Sequence, residues 1–146
     1  MTPKKFQASF FKLIDNKKNR FNPFVFIRGK PKIGKNVFIG FFSEIWANKS
    51  SITIGNNCDI ASFVSINTAD SHKKCIGIAK AVKREPIVIE DNVFVGSHSV
   101  IKGGAYIGHH SVIAAGTIVD GVKIPPYSLV FGNPMKIKEG YYLGGA

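Results

Sequence analysis

One period dominates this chain: an aliphatic residue returns at every sixth position. Ile27, Ile33, Ile39 and Ile45 open the count, and Ile54, Ile60 and Ile66 resume it after a step of nine. Ile89, Val95, Ile101, Ile107, Ile113 and Val119 then follow without a break, before a slip of one residue to Ile124 and Val130. A small residue often comes next, as at Gly34, Gly40, Gly55, Ala61, Gly96, Gly108 and Ala114. Four places after the aliphatic stand further small or β-branched residues: Val37, Ser43, Cys58, Val64, Val93, Ser99, Ala105, Ser111 and Thr117.

Neither a helix of 3.6 residues per turn nor plain alternation has a period of six. A short strand joined to a corner does. The residue four places on and the next aliphatic lie two apart, so both face one side of a strand. The small residue after the aliphatic is expected to allow the bend, because glycine has no Cβ to clash. Such units stack into a solenoid in which each coil covers its neighbour's edge and the aliphatics form the inner column. An ordinary sandwich would not produce six consecutive matches from Ile89 to Val119. The chain is therefore expected to be all-β, with the helix-like exception of its first residues.

With 146 residues there is material for one domain with a real core. The expected division is a basic, helical segment over 1–24, the solenoid over 25–138 and a Gly-rich tail over 139–146. Phe6, Phe10, Leu13 and Ile14 are spaced as one stripe of a short amphipathic helix. That stripe suits packing on the coil or on another subunit. Weak association with an anionic membrane surface through Lys4, Lys5, Lys12, Lys17 and Lys18 is the other reading. The net charge of +11 favours anionic partners, but no zinc-finger, RNP or helix-turn-helix pattern accompanies it, so nucleic acid is not expected. No apolar run approaches the roughly 18 residues of a membrane span, and no signal peptide opens the chain. Cys58 and Cys75 are too few for a disulfide framework. A cytoplasmic protein with two free thiols is expected.

The count of six breaks once at length. Ile66 to Ile89 is a step of 23 residues where six suffice, leaving 17 to be thrown outward as a loop over 67–86. Loops this long in compact domains are functional or disordered. This one opens with Asn67, Asp70 and His72, at its root on a rigid wall. Histidine, with an ordinary pKa of about 6.5, accepts a proton near neutrality and suits a general base. His98, His109 and His110 fall at outward or corner positions, with His109 and His110 expected on opposite sides of a strand.

The segments "ITIGNNCDIA", "IVIEDNVFVGSHSVIKGGAYIGHHSVIAAGTIV" and "IPPYSLVFGNP" resemble the hexapeptide-repeat acyltransferases, in particular the galactoside and maltose acetyltransferase branch. The resemblance covers roughly residues 27–138. It implies a left-handed parallel β-helix with three hexads per coil, a homotrimer with active sites between subunits, and acetyl-CoA as co-substrate. It also implies that "NTADSH" carries the catalytic base, His72. From their place at the loop's root, Asp70 is expected to orient the ring and Asn67 to lie near the acceptor. By position, Phe94, Ser97, Ala115 and Gly116 match cofactor-contacting sites, and Lys136 and Lys138 match basic positions that meet the cofactor's phosphates.

Trimeric left-handed β-helices also include the γ-class carbonic anhydrases, whose zinc needs three histidines. The expected ligand spacing is missing here, so no metal is expected. The resemblance implies direct transfer of acetyl to a sugar hydroxyl on a glycan or polysaccharide precursor. N-acetylation of a nucleotide-linked amino sugar is the alternative within the same chemistry. A non-catalytic repeat scaffold is the alternative outside it, and would leave the loop and His72 without a purpose.

Overall fold

The structure, a computed structural model, describes residues 1–14 and 19–145. Its body is a left-handed parallel β-helix of five coils, each contributing one short strand to each of three sheets. Sheet A stacks Phe26–Arg28, Glu44–Trp46, Ser65–Asn67, Val100–Lys102 and Ile118–Val119. Sheet B stacks Lys32–Ile33, Ile52–Ile54, Ile87–Ile89, Tyr106–Ile107 and Lys123–Ile124. Sheet C stacks Phe38–Ile39, Asp59–Ile60, Phe94–Val95, Val112–Ile113 and Leu129–Phe131, and is closed by the antiparallel strand Lys136–Lys138.

The register joins the counted aliphatics into three inner columns. Ile27, Ile45, Ile66, Ile101 and Val119 form the first. Ile33, Ile54, Ile89, Ile107 and Ile124 form the second. Ile39, Ile60, Val95, Ile113 and Val130 form the third. Nearly all are fully buried, so each side chain contributes about 1.5–3 kcal/mol of burial. The one-residue slip before Ile124 is absorbed at Asp120–Val122, where the Val122 N–H donates to the Asp120 carbonyl in a three-residue turn.

The corners are not made as the sequence suggested. After the aliphatics of sheets B and C the bend lies three places on, in the left-handed region, at Asn36, Asn57, Asn92, His110 and Tyr127 between sheets B and C, and at Phe42, Phe63, His98 and Gly116 between sheets C and A. The glycine one place after the aliphatic serves stacking instead. A Cβ on Gly96 would come within 2.5 Å of the Ala115 nitrogen, and one on Gly108 within 2.5 Å of the Pro126 nitrogen. The missing side chain lets successive corners close up. Serines four places after the aliphatics fasten them: the buried Ser99 hydroxyl donates to the Ala114 carbonyl at 3.1 Å and accepts the Thr117 N–H at 3.3 Å. Ser111 does the same between Pro125 and Ser128.

Helix α1 (Pro3–Leu13) starts where Thr2 caps the Lys5 N–H and Pro3 takes the first turn. The expected stripe is corrected here. Phe11 is the buried residue of the helix, Phe10 meets the edge of Phe24 at 5.0 Å, and Leu13 is exposed. Lys17 and Lys18, part of the membrane-facing reading, lie outside the described residues. The tail runs in turns to Gly144, and the Tyr142 N–H donates to the Tyr127 carbonyl. Among the described residues, no helix is long and apolar enough to cross a membrane.

Candidate active site

The long interruption leaves the coil at the corner between sheets A and B. The Asn67 side-chain oxygen accepts the Ala69 N–H at 2.8 Å, an Asx turn that lifts the chain off the wall. Ala69–Asp70 then pairs antiparallel with Lys83–Arg84, so the loop is a narrow hairpin rather than an open excursion. The buried Thr68 holds its base, since its hydroxyl donates to the Trp46 carbonyl at 3.1 Å and its own carbonyl takes the Glu85 N–H. Helix α2 (His72–Cys75) is a single turn at the far end of this hairpin.

The hairpin and sheet A enclose a cleft of about 510 Å³, lined by Asn67, Asp70, Lys83, Glu85, Lys102 and Gly103 among others. Asp70 lines its mouth and accepts a hydrogen bond at Oδ1 from the Nδ1 of His72, and the His72 N–H also reaches Oδ1 at 3.2 Å. The His72 side-chain hydrogen bond, supported by its N–H, holds the Asp70 carboxyl below the usual carboxylate range. An ionised carboxylate can only accept, so Nδ1 carries the proton and, in the neutral ring, Nε2 is the basic nitrogen. The pair remains open to solvent, with 62% of the His72 and 45% of the Asp70 side chain exposed.

The other candidate residues fall into two groups. Ser97, Ala115 and Gly116 lie together at the corner between sheets C and A, where the Gly116 N–H donates to the Ser97 carbonyl at 2.8 Å. The corner is open: Ala115 and Gly116 are exposed, and a Cβ on Gly116 would meet nothing within 4 Å. Phe94 projects from sheet C below them, 40% exposed. Lys136 and Lys138 sit one strand beyond the last coil, both exposed, with Ile137 turned inward. Lys138 Nζ lies 5.6 Å from the centre of the Phe131 ring. Sheet A separates this group from His72, so one chain does not bring His72 and the Ser97–Gly116 corner together.

Lys83, Glu85, Lys102 and Asp120 were absent from the sequence reading, yet two ion pairs frame the cleft, Lys83–Glu85 and Lys102–Asp120, both at 2.9 Å. A signal for Lys102 was available. Once Ile66 and Ile101 share a column, Asn67 and Lys102 must be neighbours on the same sheet, as they are.

The expectation for His109 and His110 is corrected. They sit on a corner, not a strand, and their Nδ1 atoms approach to 2.9 Å against the Tyr127 ring. Among the described residues no group of three His, Cys, Asp or Glu side chains is placed to hold a metal. Cys58 is enclosed, and burial pushes its thiol up.

Two family profiles match the chain: bacterial transferase hexapeptide (six repeats) over residues 86–121, and the hexapeptide repeat of succinyl-transferase over residues 32–67. The bifunctional protein GlmU of Clostridium botulinum is 36% identical over 84 residues, 53% of this chain, and the chain spans only 18% of that protein's length. Among solved structures, the polySia-specific acetyltransferase NeuO is 29% identical, over 80% of this chain and 57% of its own, with a TM-score of 0.66. The N-acyltransferase AntD of Bacillus cereus, at 20% identity over 85% of this chain and 70% of its own and a TM-score of 0.73, shares the fold. A hexapeptide-repeat-containing acetyltransferase of Vibrio cholerae O1 biovar eltor, solved with acetyl coenzyme A, is 30% identical over 94% of this chain and 76% of its own, with a TM-score of 0.71. With identity sustained across nearly the whole solenoid and most of that enzyme, the chain belongs to the hexapeptide-repeat acyltransferases.

Proposed function

We propose that this protein transfers an acetyl group from acetyl-CoA to a sugar hydroxyl on a glycan precursor, with His72 as general base. The observation that carries the reading is the His72–Asp70 pair at the mouth of the cleft, which fixes the proton on Nδ1 and leaves Nε2 basic. Nε2 takes the acceptor hydroxyl's proton as its oxygen attacks the thioester carbonyl. When the tetrahedral intermediate collapses, the C–S bond breaks and the CoA thiolate recovers that proton from the imidazolium. The Asn67 oxygen is committed to its turn, so its amide N–H₂ is the group offered to the acceptor. Transfer is read as direct, with no cysteine relay; Cys58 is enclosed and faces the core.

The open corner of Ser97, Ala115 and Gly116 supports a backbone-lined groove for the pantetheine arm, with Phe94 walling the thioester. Lys136 and Lys138 offer two exposed cations for the cofactor's phosphates. The likeness to an acetyltransferase solved with acetyl-CoA and to one specific for polySia supports both co-substrate and acceptor class. Because base and groove lie at opposite edges of sheet A, the reading requires a homotrimer whose sites form between subunits. A cytoplasmic place, where acetyl-CoA and activated sugars meet, completes it.

The test is His72→Ala, assayed with acetyl-CoA against a panel of sugar acceptors. Turnover should fall by about 10²–10⁴-fold, while acetyl-CoA binding by calorimetry stays near that of the parent protein. A variant with full activity would refute the assignment.

A further inference from the structure

The extruded loop carries more positive charge than its surroundings balance. Residues 67–86 contain Lys73, Lys74, Lys80, Lys83 and Arg84 against Asp70 and Glu85. Glu85 is engaged with Lys83, and Asp70, hydrogen-bonded to His72, pairs with none of the loop's lysines or its arginine. On the facing wall Lys102 is matched by Asp120. What remains, among the described residues, is a set of cations without a counter-charge. Lys73, Lys74 and Lys80 are exposed and make no ion pair. Arg84 is half-buried, and its Nε and Nη1 are enclosed without a hydrogen-bond partner.

Their position matters as much as their number. Lys73 and Lys74 are the next two residues of the single turn that begins at His72. At a rise of about 1.5 Å per residue, both backbones lie within roughly 6 Å of the base, inside one Debye length of about 8 Å at physiological salt. Arg84 is the register partner of Ala69 on the hairpin that carries Asp70. None of the four lines the cleft itself, whose own cations Lys83 and Lys102 are paired, but uncompensated charge of one sign beside a cleft concentrates ligands of the opposite sign. The co-substrate's phosphates are assigned to Lys136 and Lys138, beyond the last coil and on another sheet. The loop cations lie instead on the element that carries His72.

We propose that the acceptor is an anionic sugar, one that carries a carboxylate or a phosphate, drawn to His72 by Lys73, Lys74, Lys80 and Arg84 of the extruded loop. The inference rests on the O-acetylation reading above and narrows its substrate class. A neutral sugar would gain nothing from these charges. An anionic one would arrive faster and be held with its hydroxyl near Nε2.

Matched sets of acceptors test it with the intact protein: a hexose, its hexuronate and its 1-phosphate, in the gluco, galacto and manno series, each with saturating acetyl-CoA. At low ionic strength the best hexuronate or hexose 1-phosphate should exceed its parent hexose by about tenfold or more in kcat/KM. The advantage should shrink as salt is raised to about 0.5 M. Whether the carboxylate or the phosphate set shows it identifies the source of the charge. The double substitution Lys73→Gln with Lys74→Gln should reduce the anionic-to-neutral ratio several-fold. Equal turnover of neutral and anionic sugars at low salt would overturn the proposal. So would a ratio unmoved by the double substitution, or a rise in the KM for acetyl-CoA with equal loss on every acceptor, which would give the lysines to the co-substrate. Transfer to none of the acceptors would overturn the O-acetylation reading and this inference with it.

Discussion

At the scale of single residues, Asp70 is the group whose role is most open to measurement. Its carboxylate accepts from both the ring and the N–H of His72, and its pKa is depressed chiefly by the ring's hydrogen bond. A group whose folded pKa is lowered stays ionised across the neutral range, and its pairing is lost only as pH falls through that lowered value. Asp70 therefore holds the tautomer throughout the pH range of an ordinary assay. Asp70→Ala should lower kcat by about tenfold, well short of the loss in His72→Ala, because the ring survives but is no longer held. Equal kcat in the variant and the parent would show that the hydrogen bond does not serve turnover. The sequence pointed to this pair because a histidine in a long excursion from a regular count is a topological signal. It missed the Lys83–Glu85 pair because that pairing depends on a hairpin with strands two residues long, too short to show alternation. Asn67 was legible only as a polar residue near the acceptor. Its main observed work, turning the chain, is a local backbone bond that composition does not announce.

At the scale of elements, the hexads were readable and the corners were not. Column membership follows from a period of six, so every inner aliphatic from Ile27 to Val130 stands where the count put it. The left-handed corner residue has no such uniform signal. Asn36, Asn57 and Asn92 repeat three places after their aliphatics and could have been found, but the same site elsewhere holds Phe, His or Tyr. Those rings pack on each other instead, Phe42 stacked on Phe63 at 5.2 Å and Phe63 tilted against His98 at 4.9 Å. Another inter-coil fastening is electrostatic. Glu90, just after the sheet B strand of the third coil, accepts the Tyr106 hydroxyl and, at 2.7 Å, the His109 N–H of the fourth coil. The Tyr106 bond is the main cause that lowers the Glu90 pKa, against a smaller opposing effect of burial. Its stabilisation is present above the ordinary carboxylate value and fades as pH falls through the lowered one. Glu90→Gln should cost on the order of 1 kcal/mol at about pH 6, and the gap from the parent should narrow at about pH 3 in urea unfolding. Parallel loss of stability by the two proteins over that range would show that the carboxylate contributes nothing as an ion.

At the scale of the whole molecule, one chain leaves two apolar surfaces uncovered at opposite edges of sheet A. At the corner between sheets C and A, Phe41, Phe42 and Phe63 are each about half exposed in a ladder that runs up to His98, next to Ser97. At the other edge, the loop beyond His72 exposes Ile76 at 64% and Ile78 at 72%. No fold of a single chain joins these surfaces, because the rigid sheet lies between them. A closed ring of copies does, since each copy can set its loop against the next copy's ladder, and closure leaves no surface over. The same contact would carry His72 of one subunit to the Ser97–Gly116 corner of its neighbour. The prediction is complementation between two inactive proteins. His72→Ala lacks the base, and Ala115→Trp fills the exposed corner without entering the core. Co-expressed in equal amounts, they should form mixed trimers in which a site is intact when its base comes from one variant and its corner from the other. The chance is one half times one half, so about a quarter of parental activity should return. Activity no higher than that of either variant, in assemblies shown by native mass spectrometry to be mixed, would place base and groove in one subunit. A fully active species with the 15.9 kDa mass of a single chain would exclude the ring itself.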